Sequence, residues 1–395
     1  MMSTFKKIWK YKKGKWGLSI LAFFSLIAVS ADFIANDKPI YCRYEGQAYF
    51  PIMHEYGESL GVSSNYEFLD RRSWQDLDLE KVIFPIIKFS PSDIDQNSSA
   101  SSPPGTTIRS GNITKKHWLG SDSIGRDVAA GLVQGTRKTF IIAFFAMLIS
   151  CLIGFVLGVL SGYYGDKTIR MSVWGLGLFL VALFLIWFQV IYGHWSFVLA
   201  IMLSLVSVFL VVFLDARLLG KKIFIPLDML VMRMIEVFKS VPALFILLAL
   251  LAIISKPSIL TLIIILGLLR WPTIARVLRA ELLALKEKNF ILSARALGAS
   301  NFQIITKHLL PNALPSLLTI IAFGFAGTIL LEATISFLGI GLSAEEVTWG
   351  SILSEARTNF GAWWLAIFPG AAIFLMVVAC NYLGDTLNEI SLSSD

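Results

Sequence analysis

Apolar residues occur along this chain in runs separated by short polar stretches, and the runs have the ~20-residue length that crosses the hydrocarbon of a bilayer as an α-helix. The pattern predicts an all-α fold, a polytopic helical bundle in a membrane. It predicts eight spans, near 16–34, 139–162, 172–192, 196–214, 237–254, 257–276, 312–334 and 362–384.

Basic residues indicate the orientation of these spans. Six lysines precede the first apolar run, as in a signal peptide, but residues 31–36 continue without a small-residue cleavage pattern, which favours an uncleaved anchor. With the N-terminus inside, the short inner segments contain 18 Lys and Arg, whereas the short outer loops contain only Lys256 and Arg357. Both termini are therefore expected in the cytoplasm.

Composition agrees with a membrane protein and excludes several classes of function. The chain is 56% hydrophobic and 15% charged, with a mean hydropathy of +0.70. Its net charge of +7 is explained by this topology and by anionic lipid, so no nucleic-acid partner is expected. The three cysteines are far apart without ligand spacing, and no phosphate-binding loop occurs, so we expect no metal, no cofactor and no ATPase activity of its own.

The same patterns divide the chain. Residues 1–35 form the cytoplasmic N-terminus and first span, 36–138 an extracytoplasmic insertion, 139–384 the main transmembrane domain and 385–395 a cytoplasmic tail. Within the main domain, 172–214 is predicted to be an extra apolar hairpin.

A moderately basic segment, residues 288–311, lies between two apolar runs on the cytoplasmic side. Its pattern predicts two short helices broken at Gly298, with Asn289 capping the first and Ser300 and Gln303 forming a capping box for the second. Pro311 then stops the second helix or opens the next. An ordinary amphipathic connector on the membrane surface fits the same pattern.

This segment resembles the cytoplasmic signature of the integral membrane permeases of bacterial ABC importers. That signature is Glu-Ala-Ala, three residues, Gly, nine residues, Ile-x-Leu-Pro. Aligned on the glycine, the matching positions are Ala294, Gly298, Leu310 and Pro311, and the differing positions are Leu292, Ser293 and His308.

Further blocks resemble the C-type subunits of dipeptide and oligopeptide importers. The run Leu-Gly-Ser-Asp-Ser-Ile-Gly-Arg-Asp at 119–127 is similar to an outer-loop motif of that subgroup, and similar blocks follow in order at 162–165, 233–242, 332–342 and 349–350. The residues of this outer motif are Gly120, Asp122, Gly125, Arg126 and Asp127.

The resemblance implies a type I importer permease fold with a six-span core, to which the hairpin is added. It also implies an inner-membrane location, a second homologous permease subunit, two cytoplasmic ABC ATPases, an extracytoplasmic substrate-binding protein, membrane lipid and a peptide substrate. The ATPase-coupling residues it implies are Ser293, Ala294, Leu297, Gly298 and Pro311.

Some questions stay open at this point. Glu332 lies inside a span, where a carboxylate either lines the path or acts in a gate, pairs with a cation, or fixes helix packing. Arg270 is expected to snorkel or to pair within the bundle. Nickel or another nonpeptide solute fits the same motifs, and an ion-driven secondary transporter or a membrane scaffold are alternatives from other classes.

Overall fold

The computed structural model describes residues 7–59, 61, 80–94, 101–110, 113–166, 170–172, 206, 222–254, 257–343 and 346–392. The predicted hairpin at 172–214 lies outside these residues except at positions 172 and 206. The described part is mostly helical, as predicted. Its α-helices are α1 Lys12–Val29, α2 Ala31–Ile34, α3 Pro51–Ser59, α4 Val128–Val159, α5 Leu227–Ser240, α6 Ala243–Ile253, α7 Ile259–Leu285, α8 Asn289–Ala296, α9 Asn301–Gln303, α10 Leu310–Phe337, α11 Trp349–Glu355 and α12 Trp364–Leu392.

Short antiparallel strands accompany the helices. A three-stranded sheet has the order β2-β1-β3, and two further pairs are β4-β5 and β6-β7. The strands are β1 Tyr41–Tyr44, β2 Gln47–Tyr49, β3 Lys81–Ile83, β4 Thr107–Ser110, β5 Ile113–Lys116, β6 Arg170–Ser172 and β7 Lys222–Phe224. The first five lie in the predicted 36–138 insertion.

Within the described residues, four helices are long and apolar enough to cross a membrane, Val128–Tyr164, Ile259–Leu285, Asn301–Phe337 and Trp364–Ser391. The pair α5 and α6 counts as a fifth if it forms one span, but the two helices are bent by 79°. The span predicted near 237–254 therefore corresponds to part of this bent pair, which is broken between Ser240 and Ala243. Pro242 disfavours helical backbone at Val241, and it is the signal in the sequence that indicates the break.

The chain divides into two compact units. Unit 1 comprises 1–154, 239–274 and 313–395, and its main cluster brings together α1, α4, α10, α11 and α12. Trp349 is fully buried at its centre and donates its indole N–H to the Leu132 carbonyl at 3.1 Å. A second cluster joins α4, α6, α7 and α10.

Unit 2 comprises 155–238 and 275–312. In this unit Gly158 lies against α7, where a Cβ would come 2.9 Å from the Leu278 Cβ. In unit 1, Gly154 approaches α7 equally closely, at Ile274. These two glycines therefore allow α4 to approach α7 closely.

Candidate functional site

The first helix of the 288–311 segment ends in a Schellman turn. Gly298 has φ +84° and its N–H bonds to the Arg295 carbonyl at 3.0 Å, while the Ala299 N–H bonds to the Ala294 carbonyl at 3.1 Å. A left-handed backbone at this position favours glycine, which confirms the predicted break. The predicted cap was wrong by one residue, because Lys288 occupies the N-cap position and its side chain makes no cap hydrogen bond.

The second helix begins with the predicted capping box. The Ser300 Oγ accepts from the Gln303 N–H at 3.3 Å, and the Gln303 Oε1 accepts from the Ser300 N–H at 3.0 Å. A π-helical turn, Ile304–Leu309, then leads into α10. Pro311 lies in the first turn of α10, but neither of its two predicted roles is found, because the helix continues through it without a break from Asn301 to Phe337.

The segment has a buried side and an apolar exposed tip. Ile291, Ile304 and Leu309 are buried, whereas Leu297 is 88% exposed and Phe302 is 75% exposed. Single exposed apolar residues are ordinary, but two of this size beside an open glycine form a surface suited to a partner. We call Leu297, Gly298 and Phe302 the apolar tip.

The other predicted coupling residues lie before and after this tip in the chain. Ser293 is exposed, Ala294 is half-buried one turn before Gly298, and Pro311 is exposed farther along the chain. A Cβ built on Gly298 meets no atom within 4 Å. The surface at Gly298 is therefore open, and its glycine is needed for the backbone conformation and not for packing inside this chain.

Two polar contacts hold this segment and its neighbours within unit 2. The Tyr163 hydroxyl donates to the Asn301 Oδ1 at 2.6 Å, at the first residue of α9. Arg279 donates to both carboxylate oxygens of Asp228, with Nη2 to Oδ2 at 2.6 Å. Sequence reasoning missed both pairs, because their members are far apart in the chain.

The outer motif is held by hydrogen bonds within unit 1. The Asp127 Oδ1 accepts the Ala130 N–H at 2.7 Å and so caps α4, while Oδ2 bonds the ring Nδ1 of buried His117 at 2.7 Å. This cap explains why α4 begins at Val128, 11 residues before the start of the predicted span at 139–162.

The same motif is tied to the C-terminal part of the chain. Arg126 bonds both Asp122 and Glu355, and the Ser123 hydroxyl donates to Glu355 at 3.2 Å. Burial and the nearby Asp122 carboxylate raise the pKa of Glu355, while Arg126 opposes this shift. We call residues 117–127 together with Glu355 and Trp364 the outer clasp.

The two glycines of the motif adopt the left-handed backbone conformation that its turns require. Gly120 has φ +87°, and a Cβ there would come 2.7 Å from the Trp364 indole nitrogen. That nitrogen donates to the Ser121 carbonyl at 3.0 Å. Gly125 has φ +91° in the turn between Asp122 and Arg126. The five predicted motif residues are thus brought together, in one internal brace.

Glu332 is buried between α10 and its neighbours. Ser336 donates to its Oε1 at 2.9 Å, and Thr139 lies 3.5 Å from its Oε2. Because both hydroxyl partners belong to this chain, these contacts favour the alternative in which Glu332 fixes helix packing. A role in the path or gate stays a prediction.

A further charged cluster was missed by sequence reasoning. Asp32, in the short helix that follows α1, accepts from Arg137 at 2.6 Å and from Gln134 at 2.7 Å, and it also bonds Tyr56. The cluster joins α2 to α4 beside a cleft of about 400 Å³. In the part of the chain that the structure describes, no group of three or more His, Cys, Asp or Glu side chains could hold a metal ion.

Comparison with known proteins agrees with the family resemblance of the sequence motifs. Residues 213–392 match the family described as "Binding-protein-dependent transport system inner membrane component". The chain is 28% identical over 386 residues to the inner membrane ABC transporter permease protein YejE of Escherichia coli (strain K12), a match covering 96% of this chain and 92% of that protein. It is 25% identical to the peptidoglycan transport system permease protein YejE of Agrobacterium fabrum, over 98% of this chain and 92% of that protein.

Two other matches cover less of the chain. The dipeptide transport system permease protein DppC of Alkalihalophilus pseudofirmus is 28% identical over 69% of this chain and 71% of that protein. Among solved structures, an inward-facing MetNI methionine ABC transporter is 17% identical with a TM-score of 0.41, over 67% of this chain and 96% of the matched chain. The curated matches confirm the resemblance that the sequence motifs predicted.

Proposed function

We propose that this chain, a peptide-type permease of the ABC transporter class, forms one half of the translocation path of an ATP-driven importer. A second homologous permease forms the other half, and two ATPase subunits bind on the cytoplasmic side. A substrate-binding protein delivers peptide to the outer face. The observation that carries the proposal is the apolar tip, which leaves Leu297 88% exposed at a helix end fixed by a Schellman turn.

The coupling step follows from this geometry. The apolar tip inserts into a cleft of the ATPase, with Leu297 as the apolar plug and Gly298 allowing close backbone approach. Because the helix from Asn301 to Phe337 is continuous, a displacement of the segment is transmitted into a spanning helix. Rocking of the two permease subunits then alternates access to a central path.

Topology completes the proposal. Both termini and the 288–311 segment lie in the cytoplasm, and the 36–138 insertion lies outside, as the distribution of Lys and Arg indicates. The outer clasp has a structural role at the external end of α4. Glu332 is retained as a candidate path or gate residue, and replacement of its carboxylate by an amide tests this role through uptake at equal membrane abundance.

Peptidoglycan fragments are a second candidate substrate. The A. fabrum peptidoglycan permease matches 98% of this chain, including the region before the family match, whereas the dipeptide permease matches 69%. Both candidates are peptide-containing solutes, so the architecture is the same.

Uptake in cells with and without the gene tests the function. A labelled tripeptide, a labelled peptidoglycan fragment and nickel are compared in the same cultures. Loss of a peptide-containing substrate alone supports the proposal, and loss of nickel alone overturns the substrate class. The energy source of the transport is then tested separately. Uptake that survives ATP depletion but ends when ion gradients collapse would indicate a secondary transporter, and unchanged uptake of every solute would contradict a transport role.

A further inference from the structure

Arg270 is a cation in the middle of a predicted span. It lies 11 residues after the start of α7, about 17 Å along a helix that rises 1.5 Å per residue. The hydrocarbon core is roughly 30 Å thick, so this position is near its centre. Ionised side chains at this depth are costly and face a protein interior or an aqueous path.

The guanidinium has no carboxylate partner within the described residues. Its buried Nε lacks a hydrogen-bond partner, and it forms no ion pair with any residue that the structure describes. Glu332 does not serve it, because that carboxylate bonds Ser336 and Thr139. The expected pairing within the bundle is therefore not found among these residues.

Gly327 on α10 provides the space that this side chain occupies. A Cβ at Gly327 would come 2.2 Å from the Arg270 Nη2 and 2.8 Å from its Cζ. Any other residue would displace the guanidinium. The glycine therefore has a specific role, which is to let the cation lie across the surface of α10.

That surface of α10 is open on one side of Gly327. Leu330 and Thr334, three and seven residues after Gly327, share its helical face and are exposed, whereas Phe323, four residues before it, packs against Gly384 of α12. The cation thus lies beside a partly uncovered face of a spanning helix, where a permeating solute or another subunit can approach.

We propose that Arg270 binds the terminal carboxylate of the peptide as it crosses the middle of the membrane. This inference rests on the proposed function. A guanidinium donates two parallel N–H···O bonds to a carboxylate, and it stays protonated while desolvated. The interaction compensates for the loss of hydration of both charges, and it selects peptides with a free C-terminus.

The test uses a tripeptide with uncharged side chains. Uptake of its free acid is compared with uptake of its C-terminal amide, in vesicles containing the assembled transporter. The wild type, Arg270→Gln and Arg270→Lys are measured with the same binding protein, so that its own preference cancels from the comparison. Arg276→Gln is the matched control, since Arg276 is exposed six residues later on the same helix. Membrane abundance of each variant is measured in parallel.

Loss of one charge-assisted contact predicts that Arg270→Gln lowers the acid-to-amide uptake ratio by about tenfold, with Arg270→Lys intermediate. Arg276→Gln leaves the ratio unchanged. An equal loss for acid and amide would overturn the proposal and assign Arg270 to a carboxylate of the second permease subunit. An unchanged ratio with normal uptake would also overturn it. If the wild type imports neither peptide with ATP, the proposed function itself fails, and this inference with it.

Discussion

The outer clasp and the 288–311 segment are both recognisable from short motifs, but their side chains are used in opposite ways. In the outer clasp, Asp127 caps a helix, and Asp122 and Glu355 bond to Arg126. Its polar groups find partners inside unit 1. In the 288–311 segment, most polar bonds form the local turns, one joins Asn301 to Tyr163, and the apolar tip is left exposed.

The difference distinguishes a brace from a docking surface. A brace satisfies its own hydrogen bonds and buries its contacts, so its replacement should lower stability. A docking surface exposes apolar area that is buried only in a complex, so its replacement should lower activity at constant stability. Both kinds of motif are equally visible in the sequence, and only the location of their partners separates them.

The largest effect is expected for Gly298→Asp. A side chain and a charge would enter the docking surface at a left-handed position, so ATP-coupled uptake should fall at least about 100-fold while membrane insertion persists. The control is Gly105→Asp, which has φ +89° and the same open surroundings in the outer insertion. Normal uptake by Gly298→Asp, at normal abundance, would refute the docking role.

A smaller loss is expected for Leu297→Ala. Burial of a leucine side chain in a complex contributes about 1.5–3 kcal/mol, which corresponds to roughly a tenfold or greater loss of coupled uptake. Thermal stability should not change, because Leu297 is exposed in the chain. Ile291→Ala, in the same helix but buried, should instead lower stability by about 2–5 kcal/mol. If Leu297→Ala and Ile291→Ala gave the same phenotype, the proposed distinction between an exposed docking residue and a buried packing residue would be wrong.

A replacement in the outer clasp should lower stability and leave activity unchanged. Asp127→Ala removes the cap of α4 and the bond to His117, and loss of a helix cap alone costs about 1–2 kcal/mol. We expect a lower midpoint of thermal unfolding and unchanged uptake per inserted molecule. A normal midpoint with lost uptake would indicate that the outer clasp contacts a partner.

The smallest effect is expected for Asp32→Asn. The amide has nearly the shape of the carboxylate but lacks its charge, so the variant weakens the bonds from Arg137 and Gln134 and should lose about 1 kcal/mol of stability. Thermal unfolding of the wild type and of the variant measures this loss. An unchanged midpoint of unfolding would contradict a stabilising role of this cluster.

Local features of this chain were predictable from sequence, and distant pairings were not. The turn at Gly298 and the Ser300–Gln303 box depend on residues within one helical turn, so their types are sufficient to indicate them. The Asp32–Arg137 pair joins positions 105 residues apart. The bend before Pro242 does not follow from the hydropathy of the run, because hydropathy reports how apolar a segment is and not the direction of its backbone.

Partner contact at the apolar tip is the central claim, and photo-crosslinking tests it most directly. A benzoylphenylalanine probe replaces Leu297 in the assembled transporter, and the same probe at Phe360, which is 90% exposed in the loop before α12, is the control. The account predicts that the probe at 297 captures an ATPase subunit and the probe at 360 does not. Capture of lipid alone at 297, in a complex that still hydrolyses ATP, would contradict it.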